Sequence, residues 1–175
     1  MPRLFAFLRA VNVGGRTVKM DALRGTFEGL ALTGVETFIA SGNVTFDSKA
    51  RDLIALERRI EAALQQAFGF EIETFVRTAD RIAALAAHVA FEDATATTQV
   101  VGFLHAEPDA AALKTIAAMA SSVDRFQVDG RELIWLSSAK QSESVFSNAV
   151  FERALKMRTT FRGVGTLRKL VAKYG

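Results

Sequence analysis

The sequence predicts an α/β chain of the α+β sandwich class, two βαββα-type halves that each carry an antiparallel sheet. Three observations lead there. A continuous apolar run, Leu4–Ala10, stops at Gly14-Gly15, as a central strand covered on both faces would. Short β-rich runs then alternate with apolar residues at helical spacing through the first 77 residues. Finally, the succession strand, helix, two hairpin strands, helix returns in the second half, as a pattern without residue-level identity.

Each element has its own signal. Met20, Leu23, Phe27 and Leu30 recur at helical spacing, with Asp21 placed to complement the helix dipole. Val35–Ile39 and Val44–Phe46 are short strands joined by Ala40-Ser41-Gly42-Asn43, a hairpin composition. Leu53, Leu56, Ile60, Leu64 and Phe68 mark a second amphipathic helix that Gly69 stops. Glu71–Val76 alternates as a half-buried strand. Residues 1–77 thus read as a ferredoxin-like βαββαβ half. Residues 78–175 form a second α/β half: a connecting helix near Ala79–Val89, strand Gln99–Leu104 and helix Asp109–Ala120. Strands Arg125–Val128 and Glu132–Leu136 turn at Asp129-Gly130, and basic C-terminal helices follow near Val145–Met157 and Gly165–Tyr174. The polar stretch from Ser137 to Ser144 reads as the most mobile loop.

Composition excludes several chemistries. There is no cysteine, so disulfides, thiolate zinc sites and cysteine nucleophiles are ruled out, which suits a reducing cytoplasm. Arg9 interrupts the apolar start, and neither a signal peptide nor a membrane span is expected. From Phe151 onward seven lysines and arginines stand against Glu152 alone, a net +6. The whole chain carries +3, so residues 1–150 sum to −3. A basic tail built on Arg162, Arg168 and Lys169 suits an anion or nucleic-acid surface; a solvated, solubilising face is the plainer reading. Stacking platforms for single strands are sparse there, only Phe161 and Tyr174.

Strand order locates a candidate site. In a βαββαβ sandwich the first and third strands are antiparallel neighbours, so the loop after one and the turn before the other share an end of the sheet. That gathers Arg9, Asn12, Gly14, Gly15, Arg16 and Lys19 with Ser41, Gly42 and Asn43. Two glycines let backbone N–H groups approach a ligand, and the positive end of the following helix favours an anion. The plainer reading is a turn needing positive φ, a hairpin, and an asparagine bonded to its own loop. The loop is neither a P-loop nor a dinucleotide fingerprint. A guanidinium at Arg9 needs a ligand anion or an internal acid such as Asp47 or Asp21.

Other residues carry weaker signals. His88 and His105 have no partner at metal-ligand spacing, so no metal is expected. Glu57 and Glu61, interleaved with Arg58 and Arg59, read as a solvated helix face. Glu92-Asp93 reads as a helix-ending loop rather than a cation site. Ser144 lacks an identifiable base, and Trp135 reads as core. The catalytic residues are unknown, and no cofactor is called for.

The segment Phe7-Leu8-Arg9-Ala10-Val11-Asn12-Val13-Gly14-Gly15, with Lys19-Met20, Leu23, Ser41-Gly42-Asn43-Val44 and Phe46, resembles domain-of-unknown-function family 1697. That family shows LLRGINVGG, a KM-x-x-L helix start and a Y-x-x-SGN-x-x-F hairpin; here Ala10 replaces a glycine and Phe38 a tyrosine. Phe75-Val76-Arg77 is similar to its middle region. Ser144 to Asn148 resembles an SKL-x-N helix start, with Val145 where lysine is usual. Thr160 to Leu170 resembles TTRNWNTVxKL, matching at Arg162, Thr166, Lys169 and Leu170 but lacking the Asn-Trp-Asn. The resemblance implies ferredoxin-like halves and no assigned activity.

Three functions follow as expectations. The leading one is a binding module in which the Gly14-Gly15 end and the basic tail take an anionic ligand: a phosphorylated metabolite, a nucleotide or, less favoured, nucleic acid. The alternative is an enzyme using the same cleft, with Arg9, Asn12 and Asn43 polarising a substrate and Ser144 near a lid. A homodimer paired through its hairpins is the third. No membrane partner is expected.

Overall fold

The computed structural model describes residues 1–11, 15, 17–38, 42–93, 95–140 and 146–175. Its contacts divide into two compact units, residues 1–82 with 170–175, and residues 83–169. The first unit runs β1 (Arg3–Leu8), α1 (Met20–Glu28), β2 (Thr33–Thr37), β3 (Asn43–Asp47), α2 (Leu53–Phe68), β4 (Thr74–Thr78) and most of the short α3 (Ala79–Ala86). The second runs β5 (Thr98–Phe103), α4 (Ala110–Ala118), β6 (Asp124–Asp129), β7 (Glu132–Ser137), α5 (Asn148–Leu155) and β8 (Thr160–Gly163), and α6 (Val164–Tyr174) closes the chain. The sheets are ordered β2-β3-β1-β4 and β6-β7-β5-β8, with every pairing antiparallel. The two orders are the same order, so each unit is a ferredoxin-like α+β sandwich.

Alternation explains the first core. Leu4, Ala6 and Leu8 point from central β1 toward the helices, where they meet Phe27, Ile60 and Leu64. Phe5 and Phe7 take the opposite face and are buried too, which is why β1 reads as an unbroken apolar run. Tyr174 packs edge-on against Phe5 and Phe38 and donates its hydroxyl to Glu36 at 2.7 Å. Burial and that carboxylate raise the Tyr174 phenol above its ordinary value. β1 ends at Leu8, short of Ala10, because Ala10 turns into the left-handed region at φ 54°.

The expectation for Glu57 and Glu61 is overturned. Glu57 is buried; its Oε1 accepts from the Val76 N–H at 2.8 Å and from Arg77 Nη1 at 3.1 Å, while Glu61 accepts from the Thr74 N–H at 3.1 Å. β4 is an edge strand, and Thr74 and Val76 turn their N–H groups away from β1. Four helix residues advance about 6 Å, and two strand residues about 6.6 Å. Carboxylates at i and i+4 therefore match N–H groups at j and j+2, and α2 seals the edge. β4 is accordingly buried over Thr74–Arg77, not half-buried.

The second unit packs Val100, Leu104, Ile116, Leu133, Trp135, Phe146 and Phe151 between sheet and helices. Trp135 is core, as expected, and its indole N–H donates to buried Asp124 at 2.9 Å. Gly102 lies opposite Phe161, whose ring would sit 2.5 Å from an added Cβ. The sequence reading has no strand at β8, a four-residue segment that passes into α6 without a turn. The connecting helix also stops at Ala86, and Val89–Glu92 is a separate 3₁₀ turn.

Candidate functional site

Backbone hydrogen bonds join the two loops expected to meet at one end of the first sheet. The Leu8 N–H donates to the Gly42 carbonyl at 2.8 Å, and Phe7 faces Asn43 across the β1–β3 ladder. Asn43 is a strut of its hairpin: its side-chain amide donates to the Phe38 carbonyl, and its own carbonyl accepts from the Phe38 N–H, both at 2.9 Å. It is 6 % exposed, too buried to lead contact with a ligand. Beyond β1 the chain turns at Ala10. Gly15 is exposed at φ 80°, with open space where a side chain would project. Lys19 is exposed at the N-cap of α1, and among the described residues no side chain caps that helix. Asn12, Gly14, Arg16 and Ser41 lie outside the described residues.

Arg9 has an internal carboxylate, and it is Glu73. The Arg9 N–H donates to the Glu73 carbonyl at 2.9 Å, and the two side chains approach to 3.7 Å. Neither Asp47 nor Asp21 plays this part. Asp47 lies opposite Arg3 at the far end of β1 and pairs with it at 3.2 Å, and Asp21 pairs with Arg24 on its own helix. Register explains the choice, since extending the Phe7–Phe75 pairing by two residues sets Arg9 against Glu73 on one face. Sequence reasoning could have found Glu73 by continuing that ladder. Glu73 also borders a cleft of about 280 Å³ with Glu61, Gln65, Glu71 and Ile72.

The basic residues near the C-terminus do not form one helix, because β8 interrupts them. Arg162 lies on β8, half-buried, and donates to Thr160 Oγ1 at 2.6 Å and to the Phe161 carbonyl at 3.0 Å. Burial lowers its pKa to about 10. Arg77 on β4 makes the same contact with the carbonyl before it. Glu152 on α5 accepts from the Thr159 N–H at 3.3 Å, as Glu61 does from Thr74. The units thus repeat at a residue level that the sequence pattern hides. Four residues before Glu152, where the first unit has Glu57, stands Asn148; it donates to the Thr159 carbonyl, and its Oδ1 is buried without a partner among the described residues. Arg168 and Lys169 are exposed on α6. Gly163 and Gly165, where the resemblance would place asparagines, have open space around them.

The remaining candidates are structural. His88 Nδ1 accepts from the Ala90 N–H, capping the 3₁₀ turn. Asp93 accepts from Thr95 and pairs with Arg125 at 2.6 Å, and these contacts, the Thr95 hydroxyl first, lower its pKa to about 2. Among the described residues no group of three or more His, Cys, Asp or Glu could hold a metal ion. No helix there is long and apolar enough to cross a membrane. Gln141 to Ser144, in the polar stretch read as mobile, lie outside the described residues. Ser137 to Lys140 are described, and Ser137 is buried at the end of β7.

A family model described as "Protein of unknown function (DUF1697)" matches residues 1–134. The fold is similar to that of a conserved bacterial protein from Streptococcus pneumoniae, SP0830. The TM-score is 0.78 at 21 % identity, covering 99 % of this chain and 98 % of that one. No curated protein matches.

Proposed function

Because the chain belongs to the DUF1697 family, a family of unknown function, we propose its role from the first unit's loop end: a binding module for a small anionic ligand such as a phosphorylated metabolite or nucleotide. The observation that carries the reading is the N-terminus of α1. Among the described residues no side chain caps it, exposed Lys19 stands at the cap, and Gly15 lies upstream with open space where a Cβ would project. Uncapped N–H groups and the helix dipole favour negative charge there, and lysine adds a mobile cation. The absence of cysteine suits a cytoplasmic setting. A single strand of nucleic acid stacked on the first sheet is a poorer occupant. Stacking needs rings open on a strand face, and Phe5, Phe7 and Phe75 are at most 2 % exposed.

The test is a thermal-shift screen over inorganic phosphate, nucleotides, sugar phosphates and organic acids. A ligand at a hundredfold excess over its Kd stabilises by about 2.7 kcal/mol. Lys19→Glu should remove that shift and leave the ligand-free melting temperature unchanged, because Lys19 is exposed. A screen without a hit, or a hit indifferent to Lys19→Glu, overturns the reading.

A further inference from the structure

Four strands lie at sheet edges, and three of them are visibly protected. β2 is bulged between Thr33 and Glu36, β4 is sealed by Glu57 and Glu61, and the β8 edge is met by Glu152 at Thr159 and by Arg162 at the Phe161 carbonyl. β6 differs. It pairs with β7 in continuous register from Asp124 to Asp129, without a bulge. The hairpin closes at Asp129–Glu132, so the odd-numbered residues exchange hydrogen bonds with β7, and Phe126 and Val128 turn their N–H and C=O groups to the open side. No side chain among the described residues bonds to those groups. A straight, unsealed edge of this kind accepts another strand.

We propose that the β6 edge is a homodimer interface, pairing antiparallel with β6 of a second copy about a two-fold axis through Gln127. The sequence of β6, Asp124-Arg125-Phe126-Gln127-Val128-Asp129, is complementary to itself in this register. Phe126 of one copy faces Val128 of the other, the pairing that lets the outward backbone groups exchange four hydrogen bonds across the axis. Arg125 faces Asp129 twice, opposite charges on one face, and Gln127 faces its own mate. Both charged side chains are accessible, Arg125 at 50 % and Asp129 at 41 %, although Arg125 already pairs with Asp93 and Asp129 lies 3.9 Å from His88. Apolar side chains stay exposed around the edge. Val123 directly precedes β6, and Val89 borders a cleft of about 310 Å³ with Arg125, Gln127, Ile134 and Leu136. The dimer joins two four-stranded sheets into one of eight. A strand edge with a few apolar flanks is a small interface, so dissociation belongs in the micromolar range or weaker.

Light scattering across a concentration series tests this on the whole chain. The wild type should approach twice the monomer mass at high concentration. Gln127→Lys sets like charges opposite each other at the axis and should raise the dissociation constant at least about tenfold, with the fold intact by circular dichroism. Arg125→Asp should do the same, and adding Asp129→Arg should restore the dimer. Because the chain has no cysteine, Gln127→Cys should cross-link as a dimer on mild oxidation, and Arg58→Cys on exposed α2 should not. A wild type that stays monomeric at every concentration, a dimer indifferent to Gln127→Lys, or equal cross-linking by both cysteine variants overturns the proposal.

Discussion

Removing the Glu57 carboxylate is the sharpest perturbation of the fold. Glu57→Ala deletes a carboxylate whose Oε1 has two tasks: it accepts from the Val76 N–H at 2.8 Å and from the Arg77 guanidinium at 3.1 Å. The side chains of Glu57 and Arg77 are 1 % and 3 % exposed, so water does not replace the lost acceptor. A buried cation left without its partner costs about 3–5 kcal/mol. Glu57→Gln keeps an acceptor for Val76 and gives up the charge, which should cost roughly 1.5–3 kcal/mol, the worth of a hydrogen bond to a charged group. Glu57→Leu with Arg77→Met removes both charges but leaves the Val76 N–H without its acceptor, and should cost about 1–3 kcal/mol, less than Glu57→Ala alone. Urea unfolding followed by circular dichroism reads all three. The reasoning is refuted if Glu57→Ala costs under about 1 kcal/mol, or if the paired change costs as much as Glu57→Ala alone.

Other outcomes follow from the same structure. Ala10 sits at φ 54°, where a side chain costs about 1–2 kcal/mol, so Ala10→Gly should stabilise by roughly 0.5–1 kcal/mol after the added chain entropy of glycine, read in the same unfolding assay. Gly102→Ala would drive a methyl group into the Phe161 ring and should destabilise by about 1–3 kcal/mol. Asp93 has a folded pKa of about 2 against an ordinary 3.8, so its stabilising contribution is present above the ordinary value and is lost as pH falls through about 2. An NMR titration should show that midpoint, and Thr95→Ala should move it upward, because the Thr95 hydroxyl is the largest cause of the lowering.

Periodicity made the strands and helices legible because both faces of β1 and one stripe of α2 are apolar. It failed where polar residues do buried work. Glu57 and Glu61 look solvated beside Arg58 and Arg59, since nothing local announces that an edge strand needs acceptors at their spacing. β8 was hidden because Thr160-Phe161-Arg162-Gly163 is short, carries an arginine and runs directly into a helix. At the candidate site the sequence order correctly brought Gly42 and Asn43 to the end of β1. It misassigned the partner of Arg9, because Glu73 stands 64 positions away and only the β1–β4 register brings it close.

The central claim, an anion held at the start of α1, is tested most directly by a ¹H–¹⁵N titration with the anion that gives the largest thermal shift. The expected result is saturable movement of the Gly15, Lys19, Met20 and Asp21 amides, abolished by Lys19→Glu. Movement confined to Arg162, Arg168 and Lys169, or no saturable movement in the first unit, would contradict it.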